Sequence, residues 1–370
     1  MVDEKRTSNA TVDLEQLREQ IDAIDEQIHA LISDRARRAQ QVALTKGADA
    51  QAVDFFRPER EAQVLRSVVE RNTGPLTDEE MVRLFREIMS ACLAQEEPLK
   101  VGYLGPEGTF TQTAVYKHFG HSVRALPLAT IDEVFHEVEA GSADFGVVPI
   151  ENSTAGSVNH TLDNFLMSPL KICGELELRI RQHLLGTMDG LDKIERVCAH
   201  PQSLAQCRAW LKEYLGDTEL IECASNAEGA RRARDEAGTA AIAGDAAADV
   251  YGLEKLITDI EDRPDNTTRF LVIGRELFPA SGDDRTTLLL STADTEDAGA
   301  LHKLLAPLAR NGVSMTRIES RPSRRKKWHY VFFIDLDGHV EDEAIATALK
   351  ELEVHTQLFR VLGSYPKAIL

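Results

Sequence analysis

The stretch Phe145-Gly-Val-Val-Pro-Ile-Glu-Asn-Ser-Thr154 joins a short apolar run to a cluster of small polar side chains. A short apolar run bounded by polar residues is typical of a buried strand. Open α/β sheets bind their ligands just past the ends of such strands. The stretch therefore predicts an α/β fold with a ligand site after this strand. A loop whose polar residues have no role beyond the turn is the alternative interpretation.

The same pattern continues on both sides of this stretch, over residues 100–275. Short apolar runs at 101–104, 145–148, 240–243 and 270–273 alternate with helical patterns near 111–119, 130–140, 203–214 and 226–236. This alternation predicts a largely parallel sheet covered by helices. The length of the block leaves two arrangements open, a single domain or two lobes around a cleft.

Residues 13–97, on the N-terminal side, predict an all-helical domain that follows a disordered tail at 1–12. Large apolar residues recur at steps of three and four, at Leu14, Leu17, Ile21, Ile24, Ile28 and Leu31. This heptad pattern indicates a helix that packs along its length on other helices. Gly47 ends the first helix, Pro58 suits the start of a second, and Thr77-Asp-Glu-Glu80 matches the capping box of a third. Three helices in about 85 residues bury little, so we expect a homodimer in which a second copy covers the stripe, and the sequence leaves open whether such dimers assemble further.

Residues 285–366, on the C-terminal side, predict a smaller α+β domain. The pattern is strand 286–291, helix 299–310, strand 314–320, strand 328–334, helix 341–352 and strand 355–362. The order βαββαβ is that of ferredoxin-like folds.

Composition excludes several classes of protein. The 42 Lys and Arg against 61 Asp and Glu give a net charge of −19, which argues against a protein that coats nucleic acid or anionic membranes. The basic run Arg324-Arg-Lys-Lys327 is accordingly interpreted as a solvated turn. No run of 18 apolar residues and no N-terminal signal segment occur, so we expect a cytoplasmic protein. The five cysteines lie far apart without a CxxC pair, which argues against a disulfide framework or a structural zinc site.

Charged residues in the helical domain occupy positions where apolar ones are expected. Arg35 and Arg38 continue the spacing of the apolar stripe, and Lys46 lies 11 residues after Arg35, about three helical turns later and on about the same face. Glu96 follows Cys92 by one turn on the apolar face of the third helix. Cations and a carboxylate that face a helical interior predict a pocket for a small polyanion. A helix end that projects into solvent is the alternative.

These residues, taken together, resemble the helical chorismate mutases. The resemblance is carried by Leu17-Arg18, Ile21-Asp22, Ile24-Asp25, Arg35, Lys46, Pro58-Glu-Arg-Glu61 and Leu84-Phe85-Arg-Glu-Ile88. It implies the rearrangement of chorismate to prephenate, a unimolecular reaction that fixed cations accelerate without a covalent catalyst or a metal. The implied site comprises Arg18 from the partner subunit, Arg35 and Arg60 on the two carboxylates, Lys46 on the ether oxygen, Glu61 on the hydroxyl, and Arg57, Cys92 and Glu96 along the wall. Arg35, Lys46 and Glu96 are implied to be catalytic. Relatives often carry Asp, Ser and Gln in place of Arg57, Cys92 and Glu96.

The central block resembles the prephenate dehydratases, two-lobed proteins similar to periplasmic binding proteins, with the substrate cleft between the lobes. The matching motifs are Gly105-Pro-Glu-Gly-Thr-Phe110, Pro149-Ile-Glu-Asn-Ser153, His200-Pro-Gln202 and Thr268-Arg-Phe270. The resemblance implies that Thr268 is catalytic and assists loss of the ring hydroxyl while carbon dioxide leaves. It also implies a set of substrate-binding and cleft-lining residues: Thr109, Glu151, Asn152, Ser153, Gln202, Arg269 and Phe270. The reaction needs only assistance to the leaving group, so His183 and His200 are interpreted as structural.

The C-terminal block resembles the regulatory ACT domain of phenylalanine-inhibited prephenate dehydratases. The two motifs are Gly299-Ala-Leu-His302 and Glu319-Ser-Arg-Pro322. The resemblance implies that phenylalanine binds as an allosteric effector at all eight positions: Gly299, Ala300, Leu301, His302, Glu319, Ser320, Arg321 and Pro322. Ala298 stands where relatives usually carry proline.

The whole chain therefore resembles the bifunctional chorismate mutase–prephenate dehydratases of phenylalanine biosynthesis. The resemblance implies chorismate and prephenate as substrates, and neither a cofactor nor a metal. One alternative is a dehydratase whose degenerate mutase domain serves dimerisation, and the other is a non-enzymatic protein that binds a small anion. The motif Thr268-Arg-Phe270 argues against the second of these, and the cations Arg18, Arg35 and Lys46 argue against the first.

Overall fold

The computed structural model describes residues 14–46, 56–95, 97–292, 299–323 and 330–369, with side chains only for 14–42 in the first of these ranges. Several predictions lie outside the described residues: the tail at 1–12, the break at Gly47, the position of Glu96, the departure at Ala298 and the basic run 324–327. The side chain of Lys46 is likewise not described.

The N-terminal part of the chain forms a helical domain. Its helices are α1 (Leu14–Lys46), α2 (Pro58–Arg71) and α3 (Asp78–Leu93). The predicted capping box is confirmed, because Thr77 Oγ1 accepts from the backbone N–H of Glu80 and the Glu80 carboxylate accepts from the N–H of Thr77. The two shorter helices bury a small apolar core, whose members are Ala62, Leu65, Val68 and Val82.

The apolar stripe of α1 is exposed in the single chain. Its six side chains are between 40% and 68% exposed, in the set Leu14, Leu17, Ile21, Ile24, Ile28 and Leu31. A contiguous apolar row of this kind on a surface marks an interaction site.

The central block folds into two lobes. Lobe one contains β1 (Lys100–Leu104), β2 (Arg124–Leu128), β3 (Phe145–Asn152), β4 (Gly156–Ser157), β5 (Lys171–Arg179) and β11 (Thr267–Gly274), with α4 (Phe110–Phe119), α5 (Ile131–Glu139) and α6 (Asn159–Met167). Lobe two contains β6 (His183–Gly186), β7 (Arg196–Ala199), β8 (Glu219–Glu222), β9 (Thr239–Ala243) and β10 (Glu254–Ile257), with α7 (Pro201–Gln206), α8 (Arg208–Tyr214), α9 (Asn226–Asp235) and α10 (Asp245–Tyr251). The strand orders are β2-β1-β3-β11-β5 and β10-β6-β9-β7-β8.

The prediction of a largely parallel sheet is wrong, because both sheets are mixed. The chain leaves lobe one after β5 and returns to it in β11, which lies between β3 and β5 and is antiparallel to both. In lobe two, β6 is antiparallel to β9 and to β10. The two crossings between the lobes are joined where the N–H of Ile180 donates to the carbonyl oxygen of Asn266 at 2.8 Å.

The C-terminal domain has the predicted βαββαβ order. Its elements are β12 (Asp284–Thr292), α11 (Ala300–Arg310), β13 (Met315–Pro322), β14 (Tyr330–Asp337), α12 (Glu343–Glu353) and β15 (Thr356–Pro366), in the sheet order β13-β14-β12-β15. One face of this sheet packs on its two helices. The other face shares an apolar cluster with lobe one, in which Leu289, Phe333 and Tyr365 lie with Leu271 and Ile273. The domain is therefore packed against lobe one and is more than a tethered appendage.

No helix in the described part of the chain is long and apolar enough to cross a membrane.

Candidate active sites

A cavity of about 440 Å³ lies between the two lobes. Lobe one contributes Thr109, Asn152, Thr268 and Phe270 to its wall, and lobe two contributes Gln182, His200, Gln202, Ser203 and Asn226. Thr109 caps α4, residues 200–203 begin α7, and Asn226 begins α9. Asn152 ends β3, and Thr268 and Phe270 lie on β11. The structure thus brings together five of the residues predicted for the dehydratase site: Thr109, Asn152, Gln202, Thr268 and Phe270.

The hydroxyl oxygen of Thr268 accepts a hydrogen bond from Asn152 on the wall of the cleft. Asn152 Nδ2 donates to Thr268 Oγ1 at 2.8 Å, and Thr268 is only 8% exposed. Asn152 Oδ1 accepts from the backbone N–H groups of Thr154 and Ala155, so the NH₂ group of Asn152 must face Thr268. Because Thr268 Oγ1 accepts from Asn152, its own O–H is left to donate into the cleft.

The cleft carries no formal charge on its wall. Among the described residues that line it, none is Lys, Arg, Asp or Glu. Two helices of 10 residues each, α4 and α9, instead point their N-terminal ends at the cavity, capped by Thr109 and Ser225. The N-terminal end of a helix carries partial positive charge and free N–H groups, which favour an anion. The cleft is therefore suited to an anionic ligand bound by neutral donors.

Arg269 and Glu151 do not face the cleft, which differs from the prediction. Arg269 donates from Nε to Glu175 at 2.8 Å and from Nη1 to Asp335 of the C-terminal domain at 2.6 Å. Glu151 accepts from Arg317 Nε at 2.8 Å. The reason is strand geometry: successive side chains of a strand point to opposite faces. The neighbours Asn152 and Thr268 face the cleft, so Glu151 and Arg269 face the C-terminal domain.

Ser153 has a local role at the strand end. Its Oγ accepts from the backbone N–H of Thr267 at 3.0 Å, which fixes the start of β11. It is not among the residues that line the cavity.

The side chains of His200 and His183 each accept a hydrogen bond from a backbone N–H group. His200 Nδ1 accepts from the N–H of Gln202 at 3.2 Å and so caps α7, and His183 Nδ1 accepts from the N–H of Asp259 at 3.1 Å. These contacts agree with the structural interpretation of both residues.

A polar cluster on the wall of lobe two was not predicted. Gln182 is 1% exposed and donates from Nε2 to Ser203 Oγ, which also accepts from Asn226 Nδ2 at 2.8 Å. Each is a single polar residue outside a recognised motif, so sequence alone offered little to single it out. The one available signal was that Ser203 directly follows His200-Pro-Gln202.

In the helical domain, the structure places Glu61 beside the cation of Arg86. Arg86 Nε lies 3.6 Å from Glu61 Oε1. Burial raises the pKa of the Glu61 carboxyl above its ordinary value, although Arg86 and Arg35 act to lower it. Arg86 was not predicted as a site residue, and its charge is partly buried with that of Glu61.

The other residues predicted for this site are spread along the helices. Arg57 precedes α2 and, like Arg60, is exposed, whereas Cys92 is buried on α3. Arg18 is exposed on α1, 17 residues before Arg35. That separation is about 25 Å along a helix at the usual rise per residue. One chain therefore cannot bring Arg18 and Arg35 to the same small ligand.

The two predicted effector motifs lie in separate elements of the C-terminal domain. Gly299 precedes α11 with a φ of 88°, a conformation that favours glycine. Residues 319–322 end the edge strand β13. Ser157 Oγ donates to Glu319 at 2.9 Å, and Arg321 Nη2 donates to Asp163 at 2.7 Å. The second motif therefore contacts lobe one directly.

Comparison with protein-family models divides the chain into three matches. Chorismate mutase type II matches residues 17–97, prephenate dehydratase matches 101–277, and the ACT domain matches 288–354.

Comparison with individual proteins gives matches over almost the full chain. A bifunctional chorismate mutase/prephenate dehydratase of Stutzerimonas stutzeri is 56% identical over 96% of this chain and 98% of its own length. A protein of the same description from Pseudomonas aeruginosa is 54% identical over the same shares. Among solved structures, a prephenate dehydratase from Arthrobacter aurescens in complex with L-Phe is 36% identical, covers 73% of this chain and 90% of its own, and superposes with a TM-score of 0.68.

Proposed function

The chain belongs to the family of bifunctional chorismate mutase/prephenate dehydratases. From this premise we propose that each of its two sites catalyses one of the two reactions. The helical domain rearranges chorismate to prephenate. The cleft between the lobes converts prephenate to phenylpyruvate, carbon dioxide and water. The observation that carries the assignment of the second step is the Thr268 hydroxyl, which lies on the wall of the cleft and accepts from Asn152, so that its own hydrogen is available to donate.

Decarboxylation and dehydration of prephenate are coupled through the ring. The bond between the ring and its carboxylate breaks, and its electron pair enters the ring as carbon dioxide leaves. The ring becomes aromatic as the bond to the hydroxyl breaks, and the departing oxygen takes a proton to leave as water. Thr268 donates a hydrogen bond to that oxygen as it departs, which lowers the barrier, and solvent supplies the proton that completes the water molecule.

Neutral donors bind the two carboxylates of prephenate. The lining carries no Lys or Arg among the described residues, so the N-terminal ends of α4 and α9 supply the positive potential. The amide side chains of Gln202 and Asn226 add directed hydrogen bonds from lobe two. A carboxylate bound without a formal cation leaves the ring carboxylate more ready to depart as neutral carbon dioxide, because no ion pair must be broken.

The mutase site requires cations from two chains. Arg35 and Arg60 bind the carboxylates of chorismate, Lys46 contacts its ether oxygen, and Glu61 accepts the hydroxyl. The positive charge of Arg35, which acts to lower the pKa of the Glu61 carboxyl, supports this arrangement. Arg18 lies too far along α1 to serve the site of its own chain, which supports a role in the site of a partner subunit.

The partner is a second copy of the same chain, so we propose a homodimer formed through α1. The support is the exposed stripe Leu14–Leu31, whose heptad spacing is that of a helix packed on another helix. The stripe and Arg18 lie on the same helix, so dimerisation both covers apolar surface and completes the mutase site. This argues against a mutase domain kept for dimerisation alone.

Phenylalanine, the product of the pathway, acts as an effector at the C-terminal domain. The support is the ACT match at 288–354 and the contact of Glu319 and Arg321 with lobe one. The solved relative from Arthrobacter aurescens, in complex with L-Phe, points to the same ligand. The cytoplasmic location expected from the sequence stays a prediction.

Product analysis of the purified chain tests this function. With chorismate as substrate, the concentration of prephenate should rise first and then fall. Phenylpyruvate should accumulate after a lag. With prephenate, phenylpyruvate should form without a lag. Conversion of prephenate but not chorismate would support the alternative of a degenerate mutase domain, and conversion of neither would contradict the proposal.

A further inference from the structure

Asn266 is buried directly before β11, and its side-chain oxygen contacts Asn152 at the cleft. It is 2% exposed, and its Oδ1 accepts from Asn152 Nδ2 at 2.8 Å. Its Nδ2 donates to no protein atom among the described residues. The functional contact of the side chain is therefore made by its oxygen.

That oxygen completes the fixation of Asn152. The NH₂ group of Asn152 has two hydrogens and three acceptors: Thr268 Oγ1 and Asn266 Oδ1, each at 2.8 Å, and the Thr267 carbonyl oxygen at a longer 3.3 Å. With both hydrogens used and its own oxygen held by two backbone N–H groups, the Asn152 amide has a single orientation. Removal of the Asn266 oxygen would leave one N–H of Asn152 with only the longer contact to the Thr267 carbonyl oxygen, which weakens the fixation of the amide toward Thr268.

The backbone makes Asn266 a rigid anchor. It lies on the second crossing between the lobes, and its carbonyl oxygen accepts from Ile180 on the first crossing at 2.8 Å. The side chain does not line the 440 Å³ cleft; it lines an adjoining cavity of about 310 Å³ that shares Gln202 and Gln206 with it. Asn266 is thus placed to act on the site without contact with the substrate.

We propose that Asn266 is a positioning residue for the dehydratase reaction. It holds the Asn152 amide so that Thr268 accepts from Asn152 and keeps its own hydrogen for the departing hydroxyl of the substrate. This inference rests on the proposed dehydratase function. Because Asn266 acts through Asn152 on a group that assists bond cleavage, its loss should lower kcat and leave KM nearly unchanged.

The test compares Asn266→Leu with Asn266→Asp in the full chain, with prephenate as substrate. Leucine removes the acceptor, so kcat should fall between about ten- and a hundredfold with KM within about twofold, as for other small losses of orientation. Aspartate keeps an acceptor oxygen toward Asn152, so it should restore most of kcat. Asn164→Leu, on α6 and remote from the cleft, is the matched control and should behave as the unmodified chain.

Thermal unfolding followed by circular dichroism reports on the folding of the lobes in each variant, because the mutase activity arises in another domain and would survive a local disturbance. If Asn266→Leu unfolds at a lower temperature than the unmodified chain, Asn266→Ala replaces it in the comparison. A normal kcat in folded Asn266→Leu or Asn266→Ala would overturn the inference. So would an Asn266→Asp variant whose kcat falls as far as that of Asn266→Leu. A rise in KM alone would overturn it in favour of direct substrate binding. Failure of the unmodified chain to convert prephenate would instead contradict the proposed function.

Discussion

Glu61 is a carboxyl whose pKa burial and neighbouring cations shift in opposite directions. Burial raises its pKa above the ordinary value of 4.5, and the cations Arg86 and Arg35 oppose that shift without cancelling it. A raised pKa means that the group keeps its proton at a pH where an exposed carboxyl has already ionised. The proposed role of Glu61 is to accept the hydroxyl of chorismate, which favours the ionised form.

Mutase activity should therefore fall as the pH is lowered, beginning above pH 4.5. Glu61→Gln removes the titration and should give a lower, flatter profile. The measurement is mutase kcat/KM from about pH 4 to pH 9, a range that brackets carboxyl titration. Glu70→Gln, exposed on the same helix, is the control and should retain the acid limb. An acid limb unchanged by Glu61→Gln would show that another group is responsible.

At the residue scale, motifs predicted which residues lie in the cleft but not which way each one faces. Thr268 and Asn152 were predicted for the site and lie in it. Arg269 and Glu151 belong to the same motifs and face the other way. Side chains alternate between the two faces along a strand. This rule could have predicted that residues adjacent to Thr268 and Asn152 do not face the cleft. The partner of Arg269, Asp335, is distant in the chain and had no signal in the sequence.

At the scale of elements, α1 exposes a row of six large apolar side chains in the single chain. Its heptad stripe was evident from spacing alone, since periodicity is a local property. The direction of the strands was not evident from spacing, because the chain returns from lobe two in β11, which pairs between β3 and β5. Pairing across such a distance depends on the path of the whole chain, which a local pattern does not encode.

A charge in the α1 stripe should separate the proposed dimer and remove one activity. Ile24 is 54% exposed in the single chain, and Ile24→Asp would bury a charge in the interface, which is strongly unfavourable. Sedimentation should show twice the chain mass for the unmodified protein and the single-chain mass for the variant. Mutase activity should be lost with Arg18 no longer supplied by the partner, and dehydratase activity should remain.

The control is Leu220→Asp, which alters a residue 49% exposed on β8 of lobe two. It should leave the mass and both activities unchanged. A dimeric Ile24→Asp variant, or a monomer with full mutase activity, would contradict the role given to α1.

At the scale of the whole molecule, the C-terminal domain is built into lobe one. Leu271 and Ile273 share its apolar cluster, and Arg269 donates to Asp335 and Tyr365. Cutting the chain after Gly274 would expose that cluster and unpair buried charge. Such a fragment would lose phenylalanine inhibition and stability together, so the two effects could not be separated. A point substitution is therefore the sharper test.

Gly299→Val should weaken phenylalanine inhibition of the dehydratase. Gly299 has a φ of 88° with open space around it, so valine would strain the backbone of the predicted effector motif. The phenylalanine concentration for half inhibition should rise about tenfold, equivalent to about 1.4 kcal/mol of binding energy. Gly312→Val is a close match, with a φ of 69° and open space, but lies outside the motif. Equal inhibition of both variants would place the effector elsewhere.

The central claim is that one chain carries two separate active sites, and complementation between two variants tests it most directly. Thr268→Val, incubated with chorismate at neutral pH, should accumulate prephenate and form no phenylpyruvate. Addition of Arg35→Ala, itself inactive on chorismate, should then convert the accumulated prephenate to phenylpyruvate. Phenylpyruvate from Thr268→Val alone would contradict the role of Thr268. Failure of the mixture, with each variant folded, would contradict the separation of the two sites.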